Sequence, residues 1–182
     1  MSKDRPFLFK LPCMKRPVIA IDLDKWDILM ETTAWTFLIL LWIYPLQLYA
    51  SLPEQIPTHF GFNGNADDYG HKQSILLLPI IATVINIGMS VLSHYPELFN
   101  YQNKITPENA EQQYRFATRI IRFSRIVVSC VFFLIVYRIL ASTQSGENSL
   151  GTPFTPWILG IGMIPAVLTV VMWWRGQNKT SE

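Results

Sequence analysis

Thr32–Pro53 reads TTAWTFLILLWIYPLQLYASLP, 22 residues without a charge between Glu31 and Glu54. Crossing a hydrocarbon layer about 30 Å thick takes roughly 20 apolar residues at about 1.5 Å each. This stretch is therefore long enough to span a membrane as a helix. Further along, 24 uncharged residues separate Lys72 from Glu97, and 27 separate Glu147 from Arg175, ending in VLTVVMWW. A buried helix of a soluble core would need partner mass that a 182-residue chain lacks. A fourth stretch, Ser124–Ser142, is apolar but has only 12 uncharged residues between Arg125 and Arg138. Long basic side chains at the two ends of such a span can reach the headgroups, so it too counts as a helix.

The expected architecture is an all-α integral membrane protein with four transmembrane helices, spanning 33–51, 74–93, 124–142 and 154–174. They form one membrane domain, 33–175, preceded by a segment 1–32 and followed by a tail 176–182. Pro45, Pro79 and Pro165 lie inside spans. They predict kinks rather than breaks, because neighbouring helices satisfy the freed carbonyls. Composition agrees: 50% of residues are hydrophobic and 15% charged, against about a quarter charged in soluble domains. That excludes a disordered chain or a nucleic-acid-binding tail. The net charge of +2 is too small to name a partner.

The positions of the charges say more than their sum. Six basic residues precede the first span, five lie between spans two and three, and two follow span four, 13 of the 15 in all. Lys72 alone lies between spans one and two, and Arg138 lies within span three. The bias of basic residues toward the cytoplasm puts both termini and the central loop inside and the loops 52–73 and 143–153 outside. The localisation expected is a cytoplasmic membrane, with the lipid bilayer as first partner and no nucleic acid. Cys13 and Cys130 fall at different levels, so no disulfide is expected.

The central segment contains Thr106-Pro107-Glu108, which reads as a helix start with Thr as N-cap and Pro in the first turn. Nothing breaks the helix until past Ala141, so a cytoplasmic helix 107–123 runs directly into span three. Arg115, Arg119, Arg122 and Arg125 share one face of it. They read as a lipid-facing basic stripe at the headgroups, a collar of snorkelling side chains.

The most distinctive stretch is LPEQIPTHFGFNGNADDYGHK, Leu52–Lys72. Pro53 and Pro57 favour extended backbone before them, IPTHFGF has strand character, and Asn63-Gly64 is a turn signal. It reads as a compact, turn-rich outer cap. The pattern Leu52-Pro53, Ile56-Pro57-Thr58-His59-Phe60, Gly64, Asp67 or Asp68, Tyr69-Gly70 and Lys72, followed by an apolar helix containing Pro79, resembles the membrane family called domain of unknown function 1648. That family is best known as the N-terminal part of SdpI-type bacterial proteins, which confer immunity to a secreted toxic peptide and take part in signalling. The resemblance covers about residues 33–95, and the C-terminal SdpI-type half is not found here. It implies a bacterial inner-membrane protein whose cap residues Pro53, Pro57, His59, Phe60, Gly64, Asp67, Asp68, Tyr69 and Gly70 meet an extracytoplasmic peptide or envelope protein.

His59, Asp67, Asp68 and His71 are metal-capable, with His59, Asp67 and His71 the weak candidates, but their spacing matches no metal motif. A structural role for His59 is favoured, no metal or cofactor is implied, and Gly64 and Gly70 read as positive-φ positions. Within the membrane, Asn86 is expected to bond across to another helix. Arg138 is expected to clamp the cap, through Glu54, Asp67, Asp68 or loop carbonyls. Gly160, Gly162 and Ala166 offer a small-residue face for helix contact or a homo-oligomer. Three functions compete: a non-enzymatic envelope recognition, immunity or signalling protein; a small transporter or membrane-complex subunit using Pro79, Asn86 and Arg138; and a metal-assisted membrane hydrolase.

Overall fold

The computed structural model describes residues 16–61, 63–101, 103–146, 149–150 and 154–178. Its helices are α1 (Lys25–Leu48), α2 (Leu77–Leu92), α3 (Ala110–Ser145) and α4 (Phe154–Asn178). Between α1 and α2 stand two strands, β1 (Gln55–Phe60) and β2 (Ala66–His71). Three segments are long and apolar enough to cross a membrane: Lys25–Ser51, Lys72–Leu92 and Ala110–Ser145. In α4 the apolar stretch Pro156–Val171 is shorter than these. Their outward faces are apolar, with Ile39, Ile43, Val84, Ile87 and Val91 exposed, which suits lipid as the surrounding medium.

α1 starts at Lys25 rather than at the first uncharged residue. Asp24 caps it, accepting from the backbone N–H of Trp26 and Asp27, while Asp27 Oδ2 accepts from the Asp24 N–H at 3.1 Å. This reciprocal capping box satisfies the free donors of the first turn, so a polar segment becomes the first turns of the membrane helix. At α3 the start moves the other way. Thr106–Asn109 form a turn, with the Ala110 N–H bonded to the Thr106 carbonyl and Asn109 Oδ1 accepting from the Thr106 N–H. The helix proper then runs unbroken for 36 residues to a left-handed cap at Gly146 (φ 70°). α1 and α4 run through Pro45 and Pro165 without interruption. Pro79 falls in the first turn of α2, where a missing N–H costs nothing.

α1 packs most extensively on α3. Asp27 meets Arg119, Glu31 meets Arg125, and Tyr44 meets Phe133 and Tyr137. The two helices therefore run in the same direction, with α2 returning between them. Trp42 Nε1 donates to Thr83 Oγ1 at 2.9 Å and ties α1 to α2.

The expectation of an all-α fold is corrected at the cap. β1 and β2 form an antiparallel hairpin, Gln55 opposite His71 and Phe60 opposite Ala66, with irregular register around Pro57–Phe60. The buried side of the hairpin extends the bundle core. Leu52 and Ile56 join Leu41, Ile75, Val136, Leu140 and Leu150 in one cluster.

Candidate functional site

Two sets of candidate side chains stand out, one at each end of the bundle. At the cap, Ile56 and Pro57 face inward while His59, Asp67, Asp68 and Tyr69 are exposed. His59 Nδ1 lies 2.5 Å from Asp67 Oδ1. His71 Nδ1 accepts from the Gln73 N–H, and its Nε2 faces Glu54 Oε2 at 3.2 Å. Lys72 Nζ donates to Glu54 Oε1 at 3.0 Å, and its ammonium holds the Glu54 carboxyl below the usual range. Asp68 turns back to accept from the Tyr69 N–H. The two histidines thus belong to separate pairs. Among the described residues no three His, Cys, Asp or Glu side chains converge to hold a metal.

The glycines differ from expectation in one respect. Gly64 has φ 80° as expected. Gly70 does not need positive φ; it is required by close approach, because a Cβ there would lie 2.8 Å from Thr58 Cγ2 across the hairpin. Pro53 is exposed beside the hairpin, and Phe60 packs partly buried against the core.

The cap is fastened through backbone. The Gly64 carbonyl accepts from the Leu150 N–H at 2.8 Å and from Ser149 Oγ at 3.2 Å, and Asn65 pairs with Ser149. Arg138 completes the fastening with two bonds to the Leu150 carbonyl, 3.1 Å from Nε and a shorter one from Nη2, and lies over the Phe154 ring. The acids Glu54, Asp67 and Asp68 are not its partners. Arg138 reaches a carbonyl of the α3–α4 loop, and that loop holds the cap.

The opposite end is where the arginine stripe departs most from expectation. The four arginines turn toward α1 instead of lipid. Arg115 and Arg119 reach Asp27 at 3.4 and 2.9 Å. Arg119 also meets Asp24, and Arg115 meets Glu111. Arg122 bonds Glu31 at 3.1 Å and Asp27 at 3.4 Å. Arg125, fully buried, donates to Glu31 Oε2 at 2.6 Å and lies over the Trp35 ring. Burying a charge is tolerable when it is paired and hydrogen-bonded, and Asp24, Asp27 and Glu31 supply the pairing. Asp24 lies outside the span, and its carboxyl is held below the usual range by the Asp27 backbone N–H first and by Arg119 in addition. These three acids were missed as partners, although Asp24, Asp27 and Glu31 repeat at the three- and four-residue spacing of one helix face.

From this network a polar row continues inward. Arg125 Nε points at Asn86 Oδ1 at 3.4 Å, and Asn86 Nδ2 donates to Ser129 Oγ at 2.8 Å. Asn86 thus bonds across from α2 to α3. The segment before α1 straps this end. Arg16 donates to the Glu97 and Phe99 carbonyls, Tyr114 OH to the Pro17 carbonyl, and Arg115 to the Asp22 carbonyl. The strap residues 18–22 belong to no helix or strand, and Ile19 and Ile21 pack near Tyr114.

Residues 36–83 match the family described as Domain of unknown function (DUF1648), a window covering the second half of α1, the hairpin and the start of α2. A protein of Archaeoglobus fulgidus, described as an uncharacterized protein, is 32% identical over 125 residues, 61% of this chain and 68% of its own length. The chain belongs to the DUF1648 family. The family window contains the hairpin and Pro79 but ends before Asn86 and the arginines. No solved structure matches.

Proposed function

We propose that this DUF1648 protein is a non-enzymatic membrane protein whose hairpin recognises an extracytoplasmic peptide or envelope component, in an immunity or signalling role of the SdpI type. The observation that carries this reading is the two-sidedness of the hairpin. Its inner side is part of the bundle core, while His59, Asp67, Asp68 and Tyr69 stand exposed on a backbone held at Gly64 and Leu150. A recognition surface needs side chains free to touch a partner on a scaffold that does not move. In this reading α4 is a fourth span, both termini are cytoplasmic, the hairpin is outside, and the membrane is the cytoplasmic one. The archaeal relative indicates that the setting need not be bacterial. A second copy would pack on α4, where Gly160 and Gly162 have open space beside them.

A photo-crosslinking residue at position 69, introduced in native host cells, should capture a partner. His59→Ala should abolish the adduct while leaving thermal stability in detergent unchanged. Absence of any adduct, or an adduct indifferent to hairpin substitutions, would reject the reading. The buried row Glu31, Arg125, Asn86 and Ser129 favours a second reading, a small transporter or complex subunit, since intramembrane ionisable groups commonly mark a pathway. Substrate-dependent flux in liposomes tests it.

A further inference from the structure

At the charged end, α1, α3, the end of α2 and the segment after it line a half-open cavity of about 670 Å³, to which the strap also contributes. That volume lies within the roughly 300–1,000 Å³ typical of small-molecule sites. Its lining combines aliphatic Ile19, Ile21, Leu23 and Val91 with Glu31, Arg122 and Thr118. Arg122 is 5% exposed. Its Nε is engaged with Glu31, and its Nη1 with Asp27 and Thr118. None of these bonds uses Nη2, and guanidinium nitrogens are donors only. Glu31 accepts one arginine on each carboxylate oxygen, and a carboxylate oxygen has two acceptor sites. The cavity therefore offers a cation with a spare donor edge beside an anion with spare acceptor sites, together with aliphatic side chains.

We propose that this cavity binds an amphiphile whose head carries both a phosphate and a primary amine, the chemistry of an ethanolamine phospholipid. The phosphate takes Arg122 Nη2, the ammonium takes Glu31, and the glycerol and first chain carbons lie along Ile19, Ile21, Leu23 and Val91. A purely anionic head meets Glu31 with Asp27 behind it. A choline head carries a charge that cannot donate to Glu31. The position fits, because Glu31 and Val91 stand near the ends of two membrane-length helices, Lys25–Ser51 and Lys72–Leu92, the level of headgroups.

The experiment uses the full chain purified in detergent, with phosphatidylethanolamine, phosphatidylglycerol, phosphatidylcholine and soluble phosphoethanolamine as probes. Native mass spectrometry reads retention, and thermal unfolding reads protection. The ethanolamine lipid should be retained at least fivefold over the other two lipids. Ala20→Trp, which fills the cavity from an exposed position on the strap, should cut that retention at least tenfold without lowering the lipid-free melting temperature. Arg122→Lys should reduce it as well. The proposal is overturned if phosphatidylglycerol is retained equally, or if Ala20→Trp leaves retention unchanged. Equal protection by soluble phosphoethanolamine would overturn the lipid assignment and point to a soluble ligand.

Discussion

The two ends of the bundle are held by opposite means. At the charged end side chains bind side chains: three acids of α1 and its cap, Asp24, Asp27 and Glu31, meet four arginines of α3, and the contacts are largely buried. At the cap end the joints are backbone: the Gly64 carbonyl to the Leu150 N–H, and the Leu150 carbonyl to Arg138. A side-chain joint sets which residues align, and so fixes the parallel register of α1 on α3. A backbone joint leaves the side chains free, and so allows the hairpin to present His59 and Tyr69. One end buries its polar pairs between helices, and the other keeps its pairs, His59–Asp67 and Glu54–Lys72, at the surface.

The strongest way to break this contrast is at Arg125. Removing one partner of a buried pair costs up to about 3–5 kcal/mol, and Arg125→Ala takes from Glu31 one of its two arginines and from Asn86 its charged neighbour. Arg125→Ala should lower the melting temperature in detergent more than any cap substitution. Glu31→Leu with Arg125→Leu together should lose less than Arg125→Ala alone. A smaller loss in the single variant than in the double would mean that the pair is not what aligns the helices.

Next comes Arg138. Hydrogen bonds to a charged group are worth about 1.5–3 kcal/mol net, so Arg138→Gln should destabilise by about that amount and Arg138→Glu by more. Hydrogen exchange should rise across β1, β2 and Leu150 and stay unchanged across Asp24–Glu31. Uniform loosening of both ends would show that they are not separate.

The smallest effect is a pH dependence at the cap. Lys72 holds the Glu54 carboxyl below its ordinary value of 4.5. The group's contribution is therefore fully present above that value and is lost as pH falls through the lower folded value. Amide exchange in the hairpin should increase on acidification through this window. Lys72→Gln should remove that part of the response and leave the acid response of Asp24 at the other end intact.

The contrast also explains what could be read before folding. Gaps between charges located α1, α2 and α4 as helices, because the length of an apolar run is a local property; α3 has only 12 uncharged residues between Arg125 and Arg138 and was legible from the apolar run flanked by those arginines. Prolines at 53 and 57 and the Asn63-Gly64 turn pointed to a compact cap, for the same reason. The arginine stripe was visible as a face of α3, but its partners lie roughly 90 positions earlier, in a segment that reads as polar tail. Nothing local distinguishes an arginine waiting for lipid from one waiting for an acid on a distant helix. The signal that was present, acids at 24, 27 and 31 on one helical face, becomes informative only when two faces are matched. Arg138 shows the same limit: its need for a partner was legible, but a carbonyl at Leu150 is not encoded in the identity of the residue there.

One consequence follows from α3 being an unbroken rod. Arg125 and Arg138 stand 13 positions apart on it, which at about 100° per residue places them about 140° apart around its axis. The first angle is set by Glu31 and Asn86, the second by Leu150. α3 therefore carries a rotational phase from one end to the other. A single residue inserted between the two arginines would turn one anchor by about 100° relative to the other, and both could not seat at once. Whatever twists the helix at the hairpin is felt as a twist at the acids of α1.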